Sequence, residues 1–244
     1  MILVSKSQIK LITSLQQIKY RNKFELFVAE GPKVINELIA AKLQIHSLYT
    51  TVNGLFKSEK AQIITEKEIE KISFLKNANN SVAVFKIPNK TILAEDGLTV
   101  VLDSIRDPGN LGTIIRLCDW FNVTNLVCSK DTVDCFNPKV VQATMGSIAR
   151  VNVVYTTIDD YLIDSEDPIY VGVMDGENIY KEKLPEKGII VLGNEANGIS
   201  EEILKLATHK IAIPQFGEKK ETESLNVATA TAILLSEFKR FTEL

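Results

Sequence analysis

Three short segments gather polar side chains able to bind an anion, cap a helix or face a ligand. The first runs Asp103-Ser-Ile-Arg-Asp-Pro-Gly-Asn110 and continues Leu-Gly-Thr-Ile-Ile-Arg116. The second is Leu192-Gly-Asn-Glu-Ala-Asn-Gly198, and the third is Ile213-Pro-Gln-Phe-Gly217 followed by Ser224-Leu-Asn-Val227. Each begins where an apolar, strand-like run stops, which is the edge at which open α/β sheets bind ligands. In the first, Pro108 and Gly109 set a turn and Asn110 is placed to cap a helix. Arg116 follows less than two turns later, where a guanidinium either clamps a phosphate or pairs with an acid such as Asp119. In the second, Gly193 lets backbone approach a ligand and Gly198 can reverse the chain, with Asn194 and Glu195 in the loop between. In the third, Ser224 reads as a helix N-cap. Asn226 is a poor helix former on an apolar face, so it needs hydrogen-bond partners, either loop backbone or a bound ligand. Taken singly, each residue has a plain structural explanation: a cap, a surface ion pair, a tight connection.

The elements that must position these residues fall into two parts. Residues Ser5–Tyr20 carry Ile9, Ile12, Leu15 and Ile18 near helical period and read as one amphipathic helix. A strand over Phe24–Ala29, a helix opened by Gly31-Pro32 and reaching about Ala41, strands at Ile45–Thr50, Gln62–Thr65 and Ser81–Ile87, and a helix over Glu66–Ser73 complete a small α/β domain, residues 1–90. Pro88-Asn89-Lys90 and Glu95-Asp96-Gly97 bracket a linker.

From residue 97 to 244, strand and helix alternate. Strands are expected at Leu98–Leu102, Asn125–Cys128, Val151–Val154, Ile169–Val173, Ile189–Leu192 and Lys210–Ile213. Helices are expected at Asn110–Phe121, Pro138–Met145, Ile158–Ile163, Ser200–Ala207 and Ser224–Phe241. Such alternation predicts an α/β fold with a mostly parallel sheet covered on both faces. The last helix is apolar on two adjacent faces, Val227, Ala230, Leu234 and Phe238 on one and Leu225, Ala228, Ala232 and Leu235 on the other, so it demands burial on most sides.

Composition narrows the classes. The chain has 244 residues, 45% hydrophobic and 24% charged, as in globular proteins. No apolar run is long enough to span a bilayer, and MILVSKSQIK lacks signal-peptide order, so the expectation is a cytoplasmic protein. Cys118, Cys128 and Cys135 are odd in number and fit no zinc or C-x-x-C spacing, so they read as reduced thiols, and His46 and His209 offer no metal cluster. The net charge of −3 hides an asymmetry. Residues 1–90 hold 14 Lys/Arg against 7 Asp/Glu, and residues 91–244 hold 14 against 24. A basic first part suits a polyanionic partner, although a lysine-rich solvated surface would look the same.

In order and spacing, the three segments resemble the signature motifs of the SpoU/TrmH-type RNA ribose methyltransferases of the SPOUT class. The resemblance covers about residues 98–241. It implies a Rossmann-like parallel sheet with a deep trefoil knot around S-adenosylmethionine, an exception to ordinary chain topology. The stretch from Ile9 through Lys19-Tyr-Arg-Asn-Lys-Phe-Glu-Leu-Phe-Val-Ala-Glu-Gly31 is similar to the L30e-like RNA-binding domain often fused ahead of it. By that resemblance, Leu192, Gly193, Asn194, Ile213 and Leu225 contact the cosubstrate, while Asn110, Arg116, Glu195, Ser224 and Asn226 form the polar active-site set. Arg116 would face the ribose and its phosphate in a neighbouring subunit's site, because the family dimerises through its last helix. The reaction implied is metal-free methyl transfer to a ribose 2′-hydroxyl, with ribosomal RNA favoured over transfer RNA. Methylation of a base nitrogen, and a silent RNA-binding protein of the same fold, are the competing expectations. The loop Gly217-Glu-Lys-Lys-Glu-Thr-Glu223 is a few residues longer than the commonest family form, and Thr144-Met-Gly-Ser-Ile-Ala149 resembles a small-residue turn near the cofactor cleft.

Overall fold

The computed structural model describes residues 3–58, 60–88, 97–194, 197–216 and 224–240. The expected linker core at 89–96, Glu195 and the loop 217–223 lie outside the described residues. In chain order the elements are α1 (Lys6–Ser14), α2 (Ile18–Phe24), β1 (Leu26–Glu30), α3 (Pro32–Ala40), β2 (Ile45–Thr50), β3 (Ala61–Ile63), α4 (Glu66–Ile69), β4 (Ser81–Lys86), β5 (Leu98–Leu102), α5 (Pro108–Trp120), β6 (Asn125–Ser129), α6 (Pro138–Thr144), β7 (Asn152–Thr156), α7 (Ile158–Ile163), β8 (Ile169–Asn178), β9 (Gly188–Leu192), α8 (Glu201–Leu206), β10 (His209–Ala212) and α9 (Val227–Lys239). Their contacts separate two units, Met1–Asn89 with Asp134–Ala149, and Lys90–Val133 with Arg150–Leu244.

In the first unit, a sheet of order β1-β4-β2-β3 is antiparallel except for the β2–β3 pair. Ile12, Leu15, Val28, Tyr49, Ile72 and Val84 pack in its core. The single helix expected over Ser5–Tyr20 is broken in two. Ser5 and Gln8 form a reciprocal capping box that starts α1, and α1 closes at Leu15. Arg21 explains the break: its Nη1 donates to the carbonyls of Leu15 and Gln16 at 2.8 and 2.9 Å, satisfying backbone that a continuous helix would have used. Phe24 therefore ends a helix instead of opening a strand, and Glu25 turns the chain at φ 53°. Arg21 also holds Asp134 at 2.6–2.7 Å, and Phe136 packs on Phe27 with centroids 4.8 Å apart. The turn at Thr144–Ala149 lies in this unit too. Gly146, at φ 102°, sits so close to Glu37 that a Cβ would meet that side chain at 2.4 Å. Its surroundings are those of α3, which small-residue composition did not reveal.

The second unit holds a six-stranded sheet of order β10-β8-β9-β5-β6-β7, parallel at every pairing. Val101, Val127, Val171 and Val191 line one face, against Ile158, Leu162 and Ile203. Strand order reverses direction around β5 and β9, so the carboxyl ends of these strands form the crevice that such sheets offer to ligands. β8 runs five residues past its expected end at Val173, because β10 pairs with it in two stretches separated by a register shift between Lys210 and Ile211. There a Cβ at Gly176 would lie 2.5–2.8 Å from Ile211 backbone, so only glycine admits the crossing.

Candidate active site

The carboxyl ends of β5 and β9 are stitched together by polar groups. Asp103, buried at the end of β5, donates its backbone N–H to the Leu192 carbonyl at 2.9 Å. Its carboxylate accepts the Ser200 N–H at 2.9 Å and the Ser104 hydroxyl at 3.0 Å. Asn194 donates Nδ2 to the Ser104 carbonyl at 2.7 Å. Asn194 and Gly198 exchange two backbone hydrogen bonds, 3.0 and 2.8 Å, with Gly198 at φ 69°. The expected reversal at Gly198 is thus made by a closed loop. At Gly193 the chain itself leaves no room for a side chain: a Cβ there would meet Gly198 C at 2.3 Å and Ile199 N at 2.4 Å. The close approach is chain against chain.

The first and third segments also meet. The cap of α5 is Asp107, whose Oδ1 accepts the Asn110 N–H at 2.8 Å, so Asn110 does not serve as the cap. The Asn110 side chain is instead turned to Asn226, whose Nδ2 donates to its Oδ1 at 2.9 Å. Asn226 in turn caps α9, accepting from the N–H groups of Ala228 and Thr229 at 3.0 and 3.3 Å. Ser224 is exposed and lies ahead of the helix, so it is not the N-cap. Asn226 is exposed as well. Its Oδ1 makes the plain backbone alternative and its Nδ2 makes the link to the first segment. The helix now starts at Val227 because a side chain two positions past Ser224 satisfies its first N–H groups.

Arg116 stands on the exposed side of α5 with Thr113 and Trp120, at i, i+3 and i+7. Its expected ion-pair partner is taken. Asp119 accepts Arg150 Nε and Nη2 at 2.8–3.0 Å. Arg116 makes no ion pair with any described residue.

A cavity of about 680 Å³ opens beside these segments. Leu192, Gly193, Asn194, Ile213 and Leu225, the five positions expected at the cosubstrate, all line it, as does Ser224. Asn110, Arg116 and Asn226 do not line it, and Glu195 is outside the described residues. Ile211, Leu234, Met174 and Phe216 add apolar wall, and no described lining residue carries a charge. The volume suits a nucleoside-sized ligand, held by apolar contact and by backbone groups of the loops. Sequence reasoning passed over Asp103 and Asp107. The signal for Asp103 was an acid directly after the mostly apolar strand Leu98–Leu102, where a buried carboxylate must find N–H donors.

Residues 97–236 match the model of the SpoU rRNA methylase family, and residues 6–90 match that of the MRM3-like substrate binding domain. Among curated proteins, the chain is 26% identical to the 23S rRNA (guanosine(2553)-2′-O)-methyltransferase RlmP of Bacillus subtilis, over 89% of this chain and 90% of that protein. A TrmH-family structure from Porphyromonas gingivalis superposes with a TM-score of 0.90 at 36% identity, covering 98% of this chain and 99% of that one. An AdoMet-bound rRNA methyltransferase from Sinorhizobium meliloti gives 0.86 at 27%, covering 99% and 98%. The parallel sheet, the joined loops and a family match over more than half of its length agree: the chain belongs to the SpoU rRNA methylase family.

Proposed function

We propose that this protein transfers a methyl group from S-adenosylmethionine to a ribose 2′-hydroxyl of ribosomal RNA, in the cytoplasm and as a homodimer. The observation that carries this reading is the convergence of all three segments on one crevice, joined by Asn194–Ser104 and Asn226–Asn110 beside a nucleoside-sized apolar cavity. Leu192, Gly193, Asn194, Ile213 and Leu225 hold the cosubstrate. S-adenosylmethionine supplies a methyl on a sulfonium, so the bond formed is ribose O–CH3 and the bond broken is S–CH3. The hydroxyl proton leaves to water or to a phosphate of the RNA. Arg116 is the phosphate and oxyanion clamp; a guanidinium stays protonated, so it is a poor base and a good anion partner. Asn110 and Asn226 position the reacting ribose, and Ser224 and Glu195 complete the polar set. Much of the rate comes from aligning hydroxyl, methyl and sulfur.

Arg116 is absent from the lining of its own chain's cavity, which supports a role in the neighbouring subunit's site. Trp120, 82% exposed on the same side of α5, supports a partner on that face. The expected solution mass by light scattering is that of two chains; one chain at micromolar concentration removes the dimer from the account.

The direct assay incubates the purified protein with methyl-labelled S-adenosylmethionine and rRNA from cells lacking the gene. Label in a 2′-O-methyl nucleotide is the expected product. Label on a base establishes the nitrogen-methylating alternative, and no transfer to any RNA leaves a binding protein of this fold.

A further inference from the structure

Within the first unit, α2 carries a surface that nothing in the methyl-transfer chemistry uses. Between Gln16 and Ala29 the sequence has three cations, Lys19, Arg21 and Lys23, and one acid, Glu25. The fold sorts these cations. Arg21 is 2% exposed and is consumed by Asp134 and the carbonyls of the α1–α2 break. Lys19 and Lys23 remain exposed, and so do two large apolar side chains, Ile18 at 52% and Phe24 at 41%. The ring of Tyr20 stacks on that of Phe24 at 12° with centroids 6.2 Å apart, and the Lys23 ammonium stands 5.6 Å from the Phe24 centroid.

A folded domain does not leave an isoleucine and an aromatic pair on one short helix without cost. Lysines between the rings tell against an apolar protein partner and select a polyanion. The rings select a polyanion with planar groups to stack. We propose that the α2 face, Ile18, Lys19, Tyr20, Lys23 and Phe24, is a docking surface for a single-stranded segment of the RNA substrate. Phe24 and Tyr20 accept an unstacked base, and Lys19 and Lys23 accept the flanking phosphates. The proposal rests on the RNA-directed reading above and adds the place on the chain where the RNA is gripped away from the reacting ribose. Glu25 at the helix end limits the phosphate path to the Lys19–Lys23 side.

The test measures binding of a fluorescein-labelled, unstructured 20-nucleotide RNA to the full chain by anisotropy, across a salt series, beside S-adenosylmethionine binding by calorimetry. Phe24→Ala should weaken RNA binding about five- to a hundred-fold, the range for one lost base stack. Phe24→Leu, which keeps apolar bulk and so guards against a folding defect, should weaken it nearly as much. Lys19→Gln with Lys23→Gln should lower the slope of log K against log salt by about 1.4, from about 0.7 for each phosphate contact on a single strand. S-adenosylmethionine binding should be unchanged in all three. Wild-type RNA affinity in Phe24→Leu together with an unchanged salt slope in the lysine variant overturns the proposal, as does a wild-type chain that binds no RNA. A fall in RNA affinity equal for Phe24→Ala and a thermally matched core variant also overturns it. Methyl transfer to rRNA by the wild type, assayed separately, decides the enzymatic reading whatever α2 does.

Discussion

Arg21 in the first unit and Arg116 in the second are both helix arginines, and they are used in opposite ways. Arg21 is buried, bonded through three nitrogens, and fixes the place where one helix becomes two. Arg116 is exposed, and the acid that could have neutralised it is held by Arg150. The same contrast extends beyond arginine. In the first unit the buried Glu30 accepts from the Ser73 hydroxyl and the Phe74 N–H, an architectural pairing. In the second, Asn110 and Asn226 bond to each other at the mouth of a crevice, and the cavity beside them is walled by apolar groups. Arg21 and Glu30 spend their polar atoms on their own unit, while Arg116 stands exposed with no ion pair to a described residue, and the difference shows in burial and partners rather than in residue type.

That contrast can be broken by substitution. Arg21→Ala should be the costliest change, removing about 3–5 kcal/mol because Asp134 and two carbonyls lose a buried partner. Denaturant unfolding should show it, while S-adenosylmethionine affinity in the folded protein stays unchanged. Arg116→Ala should do the reverse: kcat falls about 100- to 1000-fold, the usual effect of losing one donor to a developing oxyanion. Its thermal midpoint should match the wild type. If Arg116→Ala destabilises the protein and leaves turnover intact, the two arginines have been assigned the wrong way round.

Gly193→Ala sharpens the picture inside the second unit. The new Cβ has no space against Gly198 and Ile199, and backbone cannot swing away, so stability should drop by about 1–3 kcal/mol or more. Cosubstrate affinity should fall with it, because Leu192 and Asn194 move when the loop reopens. A variant of full stability that only loses affinity would return Gly193 to the simpler role of ligand clearance.

The smallest effect concerns pH. Burial holds the Glu30 carboxyl above its ordinary value, against the lowering by Ser73 and Phe74. A carboxyl raised in the fold favours the native state while protonated, and that contribution is lost as pH rises through the raised value. Glu30→Gln keeps an acceptor and removes the ionisation, so its stability relative to wild type should be better at pH 7 than at pH 4. Thermal melts at the two pH values check the sign.

Much of this was legible in residues. The alternation after Leu98 gave the parallel sheet, since short, mostly apolar runs of four or five residues alternate with helical segments, and most strand bounds move by two residues or fewer. The three segments were visible as a set because each follows such a run. Capping was misjudged at both helices of the site for one reason. Asp107 and Asn110, like Ser224 and Asn226, are all competent caps, and which one serves depends on where the loop delivers the first free N–H groups. The break between α1 and α2 was hidden because it needs Arg21 to turn inward to Leu15, Gln16 and the sequence-distant Asp134. Periodicity carries no record of a partner more than a hundred positions away. The neighbours that Gly193 and Gly176 make room for were hidden for a similar reason, since each answers to backbone brought near by the fold.

The central claim is that the crevice at the ends of β5 and β9 methylates a ribose of ribosomal RNA. Mass spectrometry of total RNA from cells with and without this gene tests it most directly, after digestion to nucleosides and nuclease-resistant dinucleotides. One 2′-O-methyl nucleotide should be lost from ribosomal RNA, restored by the wild-type gene and not by Arg116→Ala. An RNA whose ribose methylation is unchanged, or the loss of a base-methylated nucleoside in its place, would contradict it.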